Sequence, residues 1–394
     1  MKLLAFCDDP SLPTGYANVA QHVLAPLAAD GWDICICGNG YYGDMPDRTL
    51  YPYRYYMPYT VYKGDPCGWM RAAELVTKVR PDAVLWISDH VMIAQFWQAA
   101  GKELAGVPSV AYSLVDGDPF PDEYLDGLRR CDEVLVPTQY AQRVITEMDA
   151  ALGERTLLAP YGHDADVFYP MADDKAEAKA LARGKMGGVD PDWFIVLRVD
   201  KNQERKNWPA TLRVFAEFAK DKPEARLWMH TQFQTEVGHD LAALVHRYGL
   251  ADKVLNSGLS PARLGVPVSA LNAIYNACDV HLSTSGGGGW ELSTHEAQAC
   301  GTPTIAPDYA AMSEVCVGER IPLRGRRVSR HSIDWGEVDE ENAGDWLEAM
   351  YRHPSQYSEA RQRGLSWAAE HTWERTQAPA IVRAAIERAV TAHG

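Results

Sequence analysis

The sequence predicts an α/β protein of two domains, each with a parallel sheet covered by helices on both faces. Short apolar runs bounded by Gly, Pro and Asp alternate with helical patterns along the chain, which is typical of parallel sheets. The chain has 394 residues, more than a single core of ordinary size holds, so two domains are expected.

The first half of the chain contains five apolar runs that predict strands and two helical patterns between them. The runs are KLLAFC, DICICGNG, DAVLWIS, PSVAYSLV and EVLVPT, and the helical patterns are GYANVAQHVLAPLAADG and MIAQFWQAAGKELAG. We therefore expect a first domain over residues 1–170. The charged segment 171–190, MADDKAEAKALARGKMGGVD, has no strand pattern and predicts a linker.

The second half repeats the pattern and predicts a second domain over residues 191–365. Its runs include DWFIVLRV, ARLWMHT and TPTIAPD, separated by helical patterns such as TLRVFAEFAKD. Residues 366–394 predict a long helix that packs back on one of the domains. We expect two such domains in series to leave a cleft between them, with the carboxyl ends of both sheets facing it. Ligands of parallel α/β sheets bind at those ends.

The composition is that of a globular protein, with 46% hydrophobic and 23% charged residues. No apolar run approaches the roughly 18 residues that span a bilayer. The opening MKLLAFCDDP has too short an apolar core for a signal peptide and predicts a first strand. The eight cysteines lack metal-site spacing, so we expect free buried thiols in a cytoplasmic protein.

The formal net charge of −15 argues against a protein coated in basic surface for nucleic acid or anionic lipid. One local exception is LRGRRVSRH, which contains Arg324, Arg326 and Arg327. A solvated loop is favoured there over a phosphate-contacting one.

Four consecutive glycines stand just before a predicted helix over residues 291–300, in STSGGGGWELSTHEAQACGTPTIAPD. A helix N-terminus carries unpaired N–H groups and attracts phosphate. Glycine lets the backbone approach an anion closely and adopt dihedral angles that a side chain forbids. The stretch therefore favours an anion site over a flexible turn. Glu291 and Glu296 lie five positions apart, so they point in different directions and form no tight acid pair.

A basic loop follows the first strand of the second domain, in RVDKNQERKNWP. Its Lys201, Arg205 and Lys206 are suited to neutralise the negative charge of a departing diphosphate. Taken by itself, the loop is better explained as a solvated basic segment.

The second domain resembles the donor half of family 4 glycosyltransferases, retaining enzymes of the GT-B fold that use sugar nucleotides without a metal. In that family a serine precedes E-G-F-G-L, and a second glutamate follows after seven intervening residues. Here Ser285 precedes GGWEL at 288–292, and the second glutamate is Glu296. Gly288 stands in place of the first glutamate, and Glu291 stands in place of a glycine of the pattern. Either Glu291 reaches in from a shifted loop, or the donor sugar is read differently.

The resemblance covers essentially the whole chain. DKNQERKN resembles the family's lysine loop, with Lys201 in place of an arginine. LPTGYANVAQHVLAPLAADGWDICI resembles its opening loop and helix, and PTQYAQRV, APYGHDADVFYP, LNAIYNACDVHLSTS and HTWER resemble other characteristic stretches. The fold implied is GT-B: two Rossmann-like βαβ domains facing across a cleft, with a C-terminal helix packing back.

The resemblance also implies roles for individual residues. Lys206 and Lys201 stabilise the diphosphate with support from Arg205, Glu296 binds the ribose, and Glu291 and Asp116 lie near the transferred sugar. The remaining donor-binding positions are Gly15, Gly286, Gly287, Gly288, Gly289, Trp290 and Leu292. The co-substrate implied is a UDP- or GDP-sugar, with no tightly bound cofactor and no metal.

The acceptor side has its own candidates. Asp116-Gly-Asp118 mimics the D-x-D of metal-dependent glycosyltransferases, but that interpretation needs a different fold and ranks well behind. Eight of the 19 tyrosines lie between positions 41 and 62, which fits either stacking on sugars and bases or packing within the domain. The acceptor-side candidates are Tyr16, Tyr41, Tyr42, His90, Asp118, Arg324, Arg326 and Arg327.

The branch resembled includes enzymes that glycosylate hydroxymethylated bases in DNA, which would require flipping the base and binding the duplex backbone. The acidic charge and the lack of a recognised DNA-binding module argue against DNA, so glycans and small molecules stay open as acceptors. Two alternatives share the fold: a nucleotide-sugar 2-epimerase and a catalytically silent nucleotide-sugar-binding relative. The oligomeric state is left open.

Overall fold

Two parallel sheets organise the chain, and each belongs to its own unit. The structure, a computed structural model, describes residues 1–41, 43, 46–58, 65, 67–259 and 265–394. The first unit comprises Met1–Val115, Phe120–Gly162 and Trp373–Gly394, and the second comprises Asp116–Pro119 and His163–Thr372. The predicted fold class of two α/β units with parallel sheets is confirmed.

The described residues form fifteen strands and sixteen α-helices. The strands are β1 Lys2–Asp8, β2 Asp33–Asn39, β3 Arg54–Tyr56, β4 Ala83–Ile87, β5 Ser109–Tyr112, β6 Glu133–Val136, β7 Thr156–Leu158, β8 Phe194–Val199, β9 Ala225–His230, β10 Val254–Asn256, β11 Val280–Leu282, β12 Thr304–Pro307, β13 Glu319–Ile321, β14 Leu323–Val328 and β15 Asp334–Val338. The helices are α1 Gly15–Ala29, α2 Ala72–Val79, α3 His90–Leu104, α4 Asp126–Arg129, α5 Gln139–Met148, α6 Ala150–Glu154, α7 Lys175–Met186, α8 Trp208–Phe218, α9 Leu241–Arg247, α10 Val268–Ala277, α11 Leu292–Ala299, α12 Met312–Val315, α13 Glu340–Arg352, α14 Pro354–Ala369, α15 Trp373–Thr376 and α16 Ala378–His393.

The first unit contains a seven-stranded parallel sheet in the order β3-β2-β1-β4-β5-β6-β7. Its strands read as continuous apolar runs because helices cover both faces of the sheet. Helix α1 begins directly after β1, where the Thr14 side chain accepts a hydrogen bond from the Ala17 N–H. The strand order reverses between β1 and β4, so the loops after these strands flank the crevice where such sheets bind ligands.

The second unit repeats this topology with six parallel strands in the order β10-β9-β8-β11-β12-β13. Its strand order reverses between β8 and β11. The loop after β8 carries the basic residues that the sequence singled out, and the loop after β11 carries the four glycines. Sheet topology therefore brings the two segments to the same switch point, although they are about 80 residues apart in sequence.

The arginine-rich segment forms an antiparallel β-hairpin of β14 and β15, not the solvated loop that the sequence favoured. In β14, residues alternate between half-buried and exposed, so the segment has the two-residue period of a strand. Three arginines and a glycine in this strand give it no apolar–polar alternation in the sequence.

The segment 171–190 contains α7, which packs on the second unit through buried basic side chains. The Lys175 ammonium group donates to Thr302 Oγ1 at 2.8 Å, and the guanidinium group of Arg183 contacts Asp279 at 3.1 Å. Helix α16 packs on the first unit, where Arg388 pairs with Glu133 at 2.9 Å. Helix α7 thus belongs to the second unit, where it packs on α10, and α16 belongs to the first unit, where it packs on the sheet and on α1.

The eight cysteines are free, and all except the half-buried Cys67 are buried, as the spacing predicted. No helix in the described part of the chain combines the length and the apolar composition that crossing a bilayer requires.

One glycine of the first unit is fixed by a close helix–helix approach. A Cβ atom on Gly127, in α4, would lie 2.4 Å from the backbone nitrogen of Ala94 in α3 and 2.6 Å from the carbonyl carbon of Ile93. Gly184, inside α7, has no atom within 4 Å of its Cβ position and a helical backbone.

We expect Gly127→Ala to lower the free energy of unfolding by about 1–3 kcal/mol, because the added methyl group overpacks a backbone contact. The matched change Gly184→Ala should raise it by up to about 1 kcal/mol through helix propensity. Calorimetric Tm values of both variants check this pair. A Gly127→Ala protein as stable as its parent would contradict the packing argument.

Candidate functional site

A buried ion-pair cluster lies at the switch point of the second unit. The Lys206 ammonium group contacts Asp200 Oδ1 at 2.8 Å and both carboxylate oxygens of Glu291 at 2.6 and 2.7 Å. Lys206 is 9% exposed and ends a short 3₁₀ turn, and Asn207 after it adopts a left-handed backbone with φ of 49°. This turn aims the lysine back towards the glycine loop.

Asp200 is anchored by a second cation from inside the sheet. Arg198, on β8, is fully buried, contacts Asp200 at 3.0 Å and lies over the ring of Trp208 at 4.8 Å. Burial alone would raise the pKa of Asp200, but the charges of Lys206 and Arg198 hold it below its usual value. Asp200 therefore stays ionised and fixes Lys206.

Arg205 joins the same cluster from the other side. Its Nε contacts Asp116 Oδ2 at 2.9 Å, its Nη1 lies 3.6 Å from Glu291 Oε1, and Nη1 also donates to the carbonyl of Gly287. The cluster thus alternates three cations with three carboxylates: Arg198, Arg205 and Lys206 with Asp116, Asp200 and Glu291. Its formal charge is balanced, so an anion that binds here must displace carboxylates from the cations.

The glycine loop is glycine-rich because neighbouring groups approach its backbone. A Cβ atom on Gly287 would lie 2.0 Å from the Asp116 carbonyl oxygen, and one on Gly286 would lie 3.1 Å from the Gly336 carbonyl oxygen. The Gly286 N–H donates to the Arg205 carbonyl at 2.7 Å, and the Gly336 N–H donates to the Gly286 carbonyl at 2.6 Å. The expectation of dihedral angles forbidden to other residues is wrong, because Gly286–Gly289 have no positive φ.

The left-handed backbone of this segment falls on Glu291 instead, with φ of 66° and ψ of 69°. A non-glycine residue there costs on the order of 1–2 kcal/mol. Glu291 immediately precedes α11, and its side chain is 2% exposed against Lys206. The contacts of its carboxylate with Lys206 and Arg205 therefore offset the local strain and hold Glu291 in this conformation.

Glu296 lies one helical turn further along α11, away from the cluster. Its Oε2 accepts a hydrogen bond from the hydroxyl group of Tyr275 at 2.8 Å. Burial raises the pKa of Glu296 to about 7, against the lowering effect of that hydrogen bond. The two glutamates therefore have separate partners, as their spacing predicted.

The other donor-side candidates occupy distinct positions. Trp290 is 4% exposed and donates through Nε1 to His295 Nδ1 at 3.1 Å, while Leu292 begins α11 and is half-buried. Lys201 is exposed, and among the described residues its ammonium group takes no part in the ion-pair cluster. Gly15 begins α1 in the first unit.

Sequence reasoning missed three residues of this site. Arg198 was detectable as a charge inside the apolar strand FIVLRV, and Asp200 follows that strand directly. His295 contacts His163 Nδ1 at 3.1 Å behind Trp290, and burial holds its pKa well below the usual range, so the imidazole is neutral. Nothing in the local sequence indicates this histidine pair.

Asp116 and Asp118 belong to the second unit and have different partners. Asp116 pairs with Arg205, while Asp118 Oδ1 accepts from the hydroxyl group of Tyr309 at 3.3 Å. Arg326 lies over the Tyr309 ring at 5.1 Å and donates to the Asp118 carbonyl at 2.9 Å. The two carboxylates are therefore engaged separately.

The other arginines of the hairpin are ion-paired as well. Arg324 contacts Asp339 at 2.9 Å, and Arg327 contacts Glu204 at 2.7 Å. A nucleic-acid backbone would have to replace these carboxylates, which reduces the net gain from each phosphate contact.

In the first unit, the described acceptor-side candidates surround the ends of β1, β2 and β4. The Tyr16 hydroxyl group donates to Asp89 at 2.5 Å, and His90 Nδ1 lies 2.9 Å from the Leu114 carbonyl oxygen. Tyr41 is 8% exposed, with its ring 5.0 Å from that of Tyr55, so it packs within its own unit. Tyr42 lies outside the described residues.

Comparison with solved structures defines the class of fold as GT-B. Sucrose-phosphate synthase from Thermosynechococcus elongatus matches with a TM-score of 0.74 at 18% identity, over 100% of each chain. Anabaena HepE in complex with UDP and glucose matches with a TM-score of 0.71 at 16% identity, over 98% of this chain and 99% of the other. No protein-family model matches the sequence.

Among curated proteins, the chain is similar to D-inositol 3-phosphate glycosyltransferase of Segniliparus rotundus, with 28% identity over 280 residues. That alignment covers 69% of this chain and 57% of the relative. It is also 24% identical over 252 residues to mannosylfructose-phosphate synthase of Agrobacterium fabrum, covering 62% and 51%. The chain thus spans about half the length of these relatives.

The raised pKa of Glu296 implies that the stability of the protein depends on pH. A carboxyl group whose pKa rises from 4.5 to about 7 on folding binds its proton more tightly when folded. Its contribution to stability is therefore full below 4.5 and is lost as the pH rises through about 7. The side chain of Glu296→Gln does not titrate. The Tm of the wild type minus that of this variant should therefore fall between pH 4.5 and 7 and then stay constant.

Thermal unfolding of both proteins across pH 4.5 to 8.5 checks this. Glu217→Gln, a change at a side chain that is 74% exposed, serves as the matched control. A constant difference in Tm across the range would contradict the shifted pKa.

Proposed function

We propose that the chain is a retaining, metal-independent glycosyltransferase that moves a sugar from a nucleotide diphosphate sugar to an acceptor hydroxyl group. The observation that carries this proposal is the Lys206–Arg205–Glu291 cluster beside the glycine loop, at the switch point of the second sheet. The similarity to glycosyltransferases, and to a neighbour bound to UDP and glucose, supports the same activity.

The charges of the cluster fit the demands of a diphosphate leaving group. When the bond between sugar and phosphate breaks, negative charge grows on the diphosphate, and fixed cations in a site of low exposure stabilise it. Lys206 and Arg205 are held ready by their carboxylate partners, so little reorganisation is needed at the moment of reaction. The exposed Lys201 completes the loop and contacts the outer phosphate oxygens.

Glu296 is assigned to the nucleoside end of the donor. Its carboxyl group is half-buried beside Tyr275 and accepts hydrogen bonds from the two hydroxyl groups of a ribose. The backbone N–H groups of Gly287, Gly288 and Gly289 are assigned to the phosphates and the sugar, because that of Gly286 already donates to the Arg205 carbonyl. Retention follows from the resemblance: the acceptor hydroxyl attacks on the side of the departing phosphate, which takes up the acceptor proton.

The acceptor we propose to test first is a 5-hydroxymethylated pyrimidine in DNA, with glycans and small molecules beside it. Two observations support this acceptor. The chain resembles a branch of the family that includes DNA-modifying enzymes, and the tyrosine-rich edge of the first unit has half-buried Tyr51, Tyr55 and Tyr56. Such an enzyme flips its target base out of the duplex and stacks it on aromatic rings. The ion pairs of the arginine hairpin oppose strong binding of the DNA backbone.

A mass-spectrometric screen tests the activity. UDP- and GDP-sugars are offered with hydroxymethylated DNA, with simple glycans and with buffer alone, each with and without EDTA. We expect one acceptor to gain a sugar of unchanged anomeric configuration by NMR, at a rate that EDTA does not alter. Conversion of the donor to another sugar nucleotide in buffer alone would indicate the epimerase. Nucleotide binding without turnover of any donor would indicate a silent relative.

Lys206→Ala should lower turnover at least tenfold, which corresponds to about 1.4 kcal/mol or more of leaving-group stabilisation. The control is Lys220→Ala, at a side chain that is 67% exposed and pairs only with Glu217 in the described contacts. Steady-state kinetics on protein shown to be folded measure the effect. Unchanged turnover in Lys206→Ala would remove this lysine from the mechanism.

A further inference from the structure

Positions 288 and 291 both differ from the family pattern: one has lost a glutamate relative to it and the other has gained one. The pattern resembled has glutamate where this chain has Gly288, and glycine where this chain has Glu291. Two independent substitutions would leave the site without a carboxylate at the first position and with a strained residue at the second. The geometry connects the two changes.

The carboxyl group of Glu291 fills the space into which a side chain at position 288 would extend. A Cβ atom on Gly288 would lie 2.0 Å from Glu291 Oε1, 2.7 Å from its Cδ and 2.8 Å from its Cγ. Glu291 can therefore adopt its position only because residue 288 has no side chain. Conversely, a glutamate at 288 would occupy this space only if residue 291 were small.

The backbone at 291 is consistent with this exchange. Its φ of 66° lies in the left-handed region that glycine adopts without strain. The chain adopts the left-handed turn although residue 291 is a glutamate. This turn sends the carboxylate back over Gly288.

The Glu291 carboxylate is fixed beside the cation that would hold the donor diphosphate. Both oxygens contact the Lys206 ammonium group, and Oε1 also faces Arg205. A sugar linked to a diphosphate held at Lys206 would therefore lie next to this carboxylate. Carboxylate oxygens accept hydrogen bonds from sugar hydroxyl groups, and these bonds are stronger than those of neutral acceptors.

We propose that residues 288 and 291 have exchanged roles, so that Glu291 supplies the carboxylate that contacts the donor sugar and Gly288 supplies the space for it. This inference rests on the proposed function, because it assumes a nucleotide sugar bound at Lys206. The inference goes beyond the proposed function in assigning to Glu291 the selection and orientation of the donor sugar.

Four variants test the exchange: Glu291→Gln, Glu291→Gly, Gly288→Glu and the double variant Gly288→Glu/Glu291→Gly. We expect each single change to lower donor turnover at least a hundredfold. The double variant should recover at least tenfold over Glu291→Gly, because it restores a carboxylate at the same place from the other position. Glu314→Gln, elsewhere in the second unit, is the control and should leave turnover unchanged.

Calorimetry separates a sugar contact from a structural role. In the wild type the nucleotide sugar should bind more tightly than the free nucleotide. Glu291→Gln should abolish this difference. The affinity of the variant for the free nucleotide should be at most threefold weaker than that of the wild type. A folded double variant no more active than the single ones, or unchanged turnover in Glu291→Gln, would overturn the exchange alone. Failure of the wild type to bind any nucleotide would overturn the proposed function as well.

Discussion

The contact between the Lys206 ammonium group and the Glu291 carboxylate is the interaction on which the rest of the candidate site depends. It joins the loop after β8 to the loop after β11, which are neighbours at the switch point of the second sheet. Neither charge is well exposed, so each needs the other or a ligand to offset its desolvation. Asp200 holds the Lys206 ammonium group from the other side, at 2.8 Å.

Because the cluster is balanced in charge, carboxylates of the chain itself occupy the cations that the proposed function assigns to a diphosphate. A diphosphate bound there would have to take over these cations from Glu291, Asp116 and Asp200. The exchange of a carboxylate for a phosphate costs less than the desolvation of a free lysine, because the cations are already oriented and partly dehydrated. The carboxylates released are then available to the hydroxyl groups of the same ligand.

Backbone groups of neighbouring segments pack closely against the glycine loop. Gly286 and Gly287 accommodate the carbonyl oxygens of Gly336 and Asp116, so the glycine loop is packed against the β14–β15 hairpin and against residues 116–119. The glycines therefore serve the shape of the second unit as well as any ligand. The arginines of the hairpin serve that packing too, through Tyr309, Trp335 and nearby carboxylates.

The sequence by itself determined the α/β class, the two parallel sheets, the helix after the glycines and the separate directions of Glu291 and Glu296. These features follow from local periodicity and from spacing along one helix, which a linear sequence records directly. The tertiary structure decided that Glu291 fills the space over Gly288, that Arg198 and Asp200 anchor Lys206, and that the arginine segment is an ion-paired hairpin. Those facts depend on how irregular turns fold side chains together at the strand ends, and on contacts such as that between Lys206 and Glu291, which are 85 positions apart. Neither leaves a periodic trace in the sequence.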